Sequence, residues 1–442
     1  MIYEAESGDI TIAATGDSII MRSLSVFQEE RFKALMELIR QADVGFTNLE
    51  TLIHKFEVPP EAIAGGTFIA SHPRHLEELR WAGFNLVSCA NNHAYDYGQG
   101  GVLATLKNLE KAGLAHAGTG LNLAEARGPG YLDTAKGRVA LISAVSTFND
   151  VARATEQRPD LQGSPGVNPL RHSITYTVDE AGFSQLRRMS QELGLEAQKQ
   201  RRDSFGFGGA APQDTDTEFH FMDRKFALGN TFKVGTSLHK QDLEGNLKWI
   251  REAKRQADWV LVSVHCHEQG WNREDPPDFL RDFARACIDE GVDAFIGHGP
   301  HYVKGIEIYN GKPILYSLGH FVFQNESILR QPTENYSRFG LGHDATPSDF
   351  FDARGANDTR GFAADPWYWD TIMVTCEFKQ RQLKQVCVYP VDLGNKLRRS
   401  LRGRPVLAGP AVAQEVLGRM QRMSAPLGTK LEIRDGVGVI EL

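Results

Sequence analysis

The segment FNLVSCANNHAYDYG, residues 84–98, passes from a short apolar run directly into a cluster of polar side chains. Its first part, Leu86–Cys89, has the β-branched and apolar composition of a buried strand. The polar side chains that follow this run are Asn91, Asn92, His93 and Asp96. In open α/β sheets, ligands bind beyond the carboxyl ends of the strands. The segment therefore predicts an α/β protein with functional residues at a strand exit.

Other apolar runs of the chain end in the same way. Further strands are predicted at Ile10–Thr15, Val44–Asn48, Trp259–Val264, Ala294–Ile296 and Ile314–Leu318. The polar residues that come directly after or at the end of these strands are Asp17, Glu50, His265, His267, His298, His301 and His320. Segments with helical periodicity, such as Phe27–Ala42 and Pro277–Glu290, alternate with the strands. We therefore expect six strand exits to meet at one crevice.

Two long polar stretches interrupt this alternation, at about 148–240 and 324–366. They are expected to be loop insertions in one domain that spans residues 8–395. Loops of this length in a compact protein are usually functional or partly disordered. Residues 396–442 are predicted to add a helix and a β hairpin that pack on the same domain.

Composition restricts the partners and the cellular location that we expect. The 442 residues contain 49 Lys+Arg against 56 Asp+Glu, a net charge of −7, which gives no reason to expect nucleic acid or an anionic membrane as a partner. The five cysteines form no CxxC pair, and the N-terminus has no basic region followed by an apolar one. We expect a cytoplasmic protein with a small-molecule or peptide-like substrate; the oligomeric state is left open.

The polar residues at the strand exits are those of a divalent metal centre. Imidazoles and carboxylates with an amide oxygen suit Mn, Fe or Zn better than a thiolate-selected metal. Glu50 can bridge two such ions, and His93 is placed as a proton donor whose ring Asp96 orients. Taken singly, these residues have ordinary explanations, since Asp17 can cap a turn and Glu50 can begin a helix. Their coincidence nevertheless indicates a metal centre, because five of the 14 histidines lie in the segment from His265 to His320.

A series of short motifs in chain order resembles the CapA/PgsA family of bacterial capsule and poly-γ-glutamate synthesis proteins. The motifs are Gly16-Asp17, Asn48-Leu49-Glu50, Ala90-Asn91-Asn92-His93, the VHxxE turn at His265, Gly297-His298-Gly299-Pro300-His301 and Tyr316-Ser317-Leu318-Gly319. They cover roughly residues 8–325. The resemblance implies a calcineurin-like metallophosphoesterase fold, a four-layer α-β-β-α sandwich of two mixed sheets.

The resemblance also implies roles for individual residues. One metal would be held by Asp17 and His301, a second by Asn92, His265 and His298, with Glu50 bridging and His93 as catalytic acid. The phosphoesterase pattern has a histidine two residues after the first aspartate, where this chain has Ile19. The family's Gly-Asn-Phe turn contains His320 here, and His267 is a further additional imidazole. These two imidazoles can repair a metal site or can transfer protons without a metal.

The sequence supports three hypotheses for function. The first is a metal-dependent hydrolase of an amide or phosphoester bond that uses one or two ions, with His93, Asp96 and His267 in catalysis and with Asn91 and His320 at the substrate. The second is a metal-free acid–base enzyme, an epimerase or isomerase that uses the same histidines. The third is a non-catalytic assembly protein of capsule or polyglutamate biosynthesis.

Overall fold

The structure is a computed structural model that describes residues 8–205 and 213–442. Two expectations fall partly outside these ranges: the first predicted insertion includes residues 206–212, and the expected absence of an N-terminal leader depends on residues 1–7. The strands of the described part of the chain are β1 (Ile10–Ile19), β2 (Val44–Leu49), β3 (Leu52–Ile53), β4 (Ala70–Ser71), β5 (Leu86–Ser88), β6 (Ala115–Ala117), β7 (Thr119–Gly120), β8 (Gly130–Thr134), β9 (Gly137–Val145), β10 (Gly166–Val167), β11 (His172–Val178), β12 (Glu218–Phe221), β13 (Arg224–Leu228), β14 (Lys233–Leu238), β15 (Trp259–His265), β16 (Ala294–His298), β17 (Ile306–Tyr309), β18 (Lys312–Leu315), β19 (His320–Phe323), β20 (Asp370–Lys379), β21 (Gln382–Asp392), β22 (Val406–Leu407), β23 (Glu432–Arg434) and β24 (Val437–Glu441).

The α-helices of the same residues alternate with these strands. They are α1 (Glu30–Arg40), α2 (His75–Ala82), α3 (Gly98–Ala112), α4 (Leu123–Arg127), α5 (Glu180–Glu192), α6 (Leu195–Phe205), α7 (Lys240–Gln256), α8 (Asp278–Asp289), α9 (Thr333–Ser337), α10 (Pro347–Gly355) and α11 (Pro410–Ser424). No helix of the described part combines the length and apolarity needed to cross a bilayer.

Two large sheets carry the fold, and both are mixed. The first has the order β23-β24-β21-β20-β1-β2-β5-β6, with β19 beside β1 and β22 beside β21. In it, β1 is parallel to β2 and β19 but antiparallel to β20. The second sheet has the order β17-β18-β16-β15-β9-β8, in which the four central strands are parallel and the two outer strands antiparallel. The predicted α/β class is confirmed, whereas the assignment to the metallophosphoesterase sandwich stays a prediction.

Apolar clusters show how the sheets and helices pack. One cluster joins side chains of both sheets, among them Ile12 and Phe46 of the first and Leu141 and Leu261 of the second. A second cluster packs α1 and α2 on the first sheet, and a third packs α7 and α8 on the second. Since the central strands are covered on both faces, they are almost continuously apolar, as the fully buried WVLVSVH of β15 shows.

The prediction of a long loop at 148–240 was wrong over much of its length. This stretch contains α5, α6 and a four-stranded sheet of order β12-β13-β11-β14. Most side chains of this small sheet are only half-buried, so its strands contain polar residues and lack the apolar runs of the central strands. The alternation of β-branched and aromatic residues in HSITYTV, which forms β11, was the signal for a strand here.

The second predicted insertion is mostly irregular but contains α9 and α10. The C-terminal residues form α11 and the hairpin β23–β24, whose second strand pairs with β21 in the first large sheet. The division of the chain at residue 395 stays a prediction.

A buried histidine lies at the start of α2, where the chain crosses from β4 to the helix. His75 is 3% exposed, its Nδ1 lies 2.7 Å from the Ser71 hydroxyl, and its Nε2 accepts a hydrogen bond from Arg74. The Ser71 hydroxyl in turn donates to the carbonyl of Ile20. This network suits the neutral imidazole, with Nδ1–H as donor and Nε2 as acceptor. Burial lowers the pKa of His75 to about 4, and the charge of Arg74 adds to the effect.

We predict that His75 makes the protein less stable as the pH falls from about 6.5 to about 4. The folded-state pKa lies below the unfolded value of 6.5, so within this window the unfolded chain binds the additional proton and the free energy of unfolding decreases with falling pH. In urea unfolding series at several pH values, wild type should lose about 1–3 kcal/mol more than His75→Gln across the window. Equal losses for the two proteins would contradict the assignment.

Candidate metal centre

Strand register brings the polar strand exits together. β15 and β16 pair with His265 opposite His298, and β1 pairs with β19 so that Asp17 lies opposite His320. On its other side, Asp17 lies opposite Asn48 of β2. Residues that are far apart in the sequence therefore become neighbours at one edge of the two sheets, as expected from the strand exits.

Asp17 lies at an irregularity in β1 where the backbones come very close. A Cβ atom on Gly16 would lie 1.8 Å from the carbonyl oxygen of Gly319, so only glycine fits there. This approach lets the Asp17 amide donate to Gly319 at 2.9 Å. The Asp17 carboxylate accepts a 2.8 Å hydrogen bond from Asn48 and lies 3.1 Å from Nδ1 of His301.

Burial alone would raise the pKa of Asp17. Hydrogen bonds from His265, His298 and His301 outweigh burial and hold the pKa of Asp17 well below its usual value.

The turn that carries His301 is strained, because His301 adopts a φ of 68° in the region that favours glycine. The backbone thus accepts an unfavourable conformation at the residue whose imidazole contacts Asp17.

Glu50 is the most unusual charge in the site. It is 0% exposed, and neither of its carboxylate oxygens has a hydrogen-bond partner among residues 8–205 and 213–442. Its nearest cationic candidates are Nε2 of His265 and Nδ1 of His301, each at 3.7 Å. Burial raises the pKa of Glu50 well above its usual value, and the negative charges of Asp17 and Asp96 raise it further. A carboxylate in this environment is costly unless a cation compensates it.

The donor atoms around Glu50 form overlapping groups, within each of which all atoms lie within 4.8 Å of one another. The groups are Asp17, Glu50, His301 and His320; Asp17, His265 and His298; and Glu50, His265 and His267. Glu50 belongs to two of them, as a residue bridging two ions would. Carboxylate and imidazole donors suit Mn, Fe or Zn, and the orphaned Glu50 oxygens fit a divalent ion.

Three imidazoles of the site, those of His265, His267 and His320, favour the neutral form, which is the form that binds metals. Burial lowers the pKa of His265 to about 4 although the nearby Asp17 opposes this. Burial also lowers the pKa of His267 and of His320 well below the usual value, with a further contribution from the charge of His301.

His320 supplies an imidazole where Ile19 does not. Its Nδ1 lies 3.1 Å from the carbonyl oxygen of Tyr368, which fixes Nδ1–H as the donor. The Nε2 atom is then a lone-pair acceptor, and it is buried without a hydrogen-bond partner in the described part of the chain. Ile19 instead packs in the apolar cluster of the first sheet. His320 of β19 is therefore placed to supply the imidazole ligand that Ile19 of the neighbouring strand β1 cannot supply.

A histidine–carboxylate pair lies beside the donor groups. Nδ1 of His93 is 2.7 Å from Oδ2 of Asp96, which leaves Nε2 as the ring nitrogen available to a substrate. The carboxylate of Asp96 also accepts from the amides of Ile69 at 2.8 Å and Gly65 at 3.3 Å. Asp96 therefore fixes both the ring of His93 and the backbone of residues 65–69.

A cavity of about 340 Å³ opens onto these groups. Asn92, His93, His267 and His301 line one part of it, and residues of the second insertion line another: Asn325, Arg354 and Phe362. The segment predicted as a loop insertion therefore forms a wall of the site.

The structure places some predicted residues differently from the roles expected for them. His320 is fully buried and stacks on His301 at 4.3 Å, so its position favours metal binding over substrate contact. His267 lies among the metal donors, with its Nε2 3.1 Å from that of His265, as well as lining the cavity. Asn91 is buried, and its amide donates to the carbonyl of Leu49, so it supports the Glu50 strand and does not line the cavity. The Asn92 Oδ1 is buried and has no hydrogen-bond partner among the residues that the structure describes, which suits the ligand role implied for it.

Sequence reasoning missed Asn48 and Arg354. Asn48 contacts Asp17 and also lies 3.3 Å from Nδ1 of His265, so it orients both. The signal for Asn48 was its position in the Asn48-Leu49-Glu50 motif, near the end of β2 and two residues before Glu50. Arg354 had no such signal, because it lies in a polar segment without a motif.

This geometry defines a protein with a buried carboxylate–imidazole centre at the edge of two packed sheets, and comparison with known proteins identifies its family. The model of the family described as "Bacterial capsule synthesis protein PGA_cap" matches residues 7–325. The chain belongs to this family, which confirms the resemblance to the CapA/PgsA proteins.

Individual relatives agree with this assignment. A Sinorhizobium fredii protein named "Uncharacterized protein y4sH" is 35% identical over 454 residues, which cover 98% of this chain and 93% of the relative. The PGA biosynthesis protein CapA of Bacillus subtilis is 27% identical over 65% of this chain and 57% of its own length. The capsule biosynthesis protein CapA of Bacillus anthracis is 25% identical over 56% of this chain and 42% of its own length.

We predict that His320 contributes to metal affinity. When protein stripped with a chelator is titrated calorimetrically with Mn²⁺ or Zn²⁺, His320→Ala should bind the ion at least about 10-fold more weakly than wild type, because a ligand is lost. His343→Ala, which removes an exposed imidazole of the second insertion, should bind like wild type. Equal affinities of all three proteins would exclude His320 as a ligand.

Proposed function

We propose that the protein is a metal-dependent hydrolase that cleaves an amide or a phosphoester bond. The observation that carries the proposal is the unpartnered, buried Glu50 carboxylate amid Asp17, His301 and His320, with His93 beside them. We also propose that the two large sheets and their outer helices form the four-layer metallophosphoesterase sandwich. The apolar cluster between the sheets supports this part of the proposal.

A divalent ion held by the donor groups would act as a Lewis acid that polarises the scissile group and makes a nucleophile available at neutral pH. Asp17, Glu50, His301 and His320 would hold one ion, and His265 and His267 with Glu50 a second. Asn48 keeps the Asp17 carboxylate in place through its 2.8 Å hydrogen bond.

His93 is assigned the proton transfer to the leaving group. The Nδ1–H of His93 donates a hydrogen bond to Asp96, which fixes the ring, so Nε2 can carry the proton that a departing amine or alkoxide needs. Because His93 lines the cavity with Asn92 and His301, a substrate bound at the metal donors lies within its reach.

The names of the Bacillus relatives suggest the substrate class. Since those relatives are named for capsule and PGA biosynthesis, we propose a γ-glutamyl or similar peptide-like substrate for this chain. We further propose a cytoplasmic protein that binds neither nucleic acid nor membranes, supported by the net charge of −7 and by five cysteines that are all free.

We predict that His93→Ala loses activity but keeps its metal. With a γ-linked glutamate oligomer or bis(p-nitrophenyl) phosphate as the probe, kcat should fall about 100-fold or more, the usual contribution of a general acid. The metal content of the purified variant, measured by mass spectrometry, should equal that of wild type. His343→Ala is the control and should keep full activity.

Chelation separates the proposal from the metal-free alternatives. A wild-type protein that hydrolyses neither probe after chelation, and regains activity with Mn²⁺ or Zn²⁺, agrees with the proposal. Full activity without metal would exclude it. Solvent deuterium in recovered substrate without hydrolysis would instead favour an epimerase or isomerase.

A further inference from the structure

Arg354 lies at the junction of two cavities above the metal centre. The cavity of about 340 Å³ described above adjoins one of about 490 Å³, and the two share the residues Phe323, Asn325, Arg354, Phe362 and Tyr368. Of these shared residues, Arg354 alone carries a charge. It therefore faces the space that holds His93, His267 and His301 as well as the space that leads away from them.

The local sequence fixes the position of Arg354. Thr346 and Asp349 form a capping box at the start of α10, and Pro347 occupies its first turn. Arg354 lies in the last turn of this helix, where a cation interacts favourably with the helix dipole. One guanidinium nitrogen donates to the hydroxyl of Thr67, a buried residue that also lines the smaller cavity.

The guanidinium of Arg354 has no carboxylate partner. Across residues 8–205 and 213–442, no Asp or Glu oxygen lies within 4.0 Å of its nitrogens, although acidic residues are close in the fold. Those acids pair with other arginines: Asp365 with Arg273, Asp352 and Asp358 with Arg399, and Glu326 and Asp358 with Arg402.

Burial lowers the pKa of Arg354, and the nearby charge of Arg338 lowers it further. A guanidinium nevertheless remains protonated in proteins, so the half-buried cation persists with only the Thr67 hydroxyl and the ring of Phe362, 5.8 Å away, as partners and with no counter-charge among the described residues. An arginine in this state, fixed on one side by Thr67 and open on the other to a cavity, is suited to an anion that enters from solution.

We propose that Arg354 binds an anionic oxygen group of the substrate, a carboxylate or a phosphate, in the cavity that contains His93. This inference rests on the proposed function, and it deepens that function by naming a residue that selects the substrate. Arg354 is assigned to binding and not to the chemical step. The guanidinium can present two parallel N–H groups to two oxygens, a geometry that lysine does not reproduce.

The test is a calorimetric titration of the metal-free full-length protein, so that no bound ion attracts the probe. The probes are inorganic phosphate and the dipeptide γ-glutamylglutamate, which distinguish a phosphate from a carboxylate as the bound group. Arg354→Gln should bind the preferred probe about 10- to 100-fold more weakly than wild type, since a charge-assisted contact is lost. Arg354→Lys should fall between the two.

Arg338→Gln is the matched control. It removes the same charge from the same insertion, but Arg338 is exposed and lines neither cavity. The control should bind both probes like wild type. Wild-type affinity in Arg354→Gln, an equal loss in Arg338→Gln, or a wild type that binds neither probe would each overturn the role of Arg354.

Metal affinity and hydrolysis, measured on the same variants, separate this inference from the proposed function. Arg354→Gln should keep the wild-type metal affinity and kcat and raise KM about 10- to 100-fold. A wild type that binds the anion through Arg354 but hydrolyses neither the γ-linked glutamate oligomer nor bis(p-nitrophenyl) phosphate with any metal would overturn the hydrolase and leave the anion site. A thermal melt of each variant shows whether it is folded, and Arg354→Lys provides the folded comparison if Arg354→Gln is not.

Discussion

The burial of the Glu50 carboxylate without a hydrogen-bond partner is the constraint on which the rest of the site depends. Taking such a group out of water is unfavourable unless a cation or a proton compensates it. Asp17, at full burial, escapes this problem through Asn48 and His301, which hydrogen-bond its oxygens. Among the described residues, Glu50 has only the imidazoles of His265 and His301 at 3.7 Å, and burial favours the neutral form of His265. A divalent ion shared with the surrounding imidazoles, as we propose, would compensate the charge of Glu50.

Backbone register places the partners around Glu50. Asp17 faces His320 across β1 and β19, and His265 faces His298 across β15 and β16, so each pair joins distant parts of the chain. The close approach of Gly16 to Gly319 makes the first pairing possible. The site is therefore a product of the sheet as a whole, and stable packing between the two sheets is a condition for its chemistry.

The sequence predicted the central part of the fold because the strands β2, β5, β15 and β16 are apolar runs that end in polar residues. It did not predict the small sheet around β11, whose half-buried strands lack continuous apolar runs. The gathering of Asp17, Glu50, His265 and His298 was predictable from strand exits. The strand exits also predicted His320 at this crevice, but its place directly opposite Asp17 was not predictable, since it depends on the pairing of β19 with β1 across about 300 residues of sequence. Arg354 became a candidate only through the cavity that it lines.

Anomalous diffraction from crystals grown with Mn²⁺, collected near the manganese absorption edge, tests the account most directly. If a divalent ion compensates the buried Glu50 carboxylate, we expect at least one anomalous peak in contact with a Glu50 oxygen and with imidazole nitrogens of the surrounding histidines. A second peak on the other side of the same carboxylate would identify a two-ion centre. A well-ordered crystal in which Glu50 contacts no anomalous scatterer, while manganese binds elsewhere or not at all, would contradict the central claim.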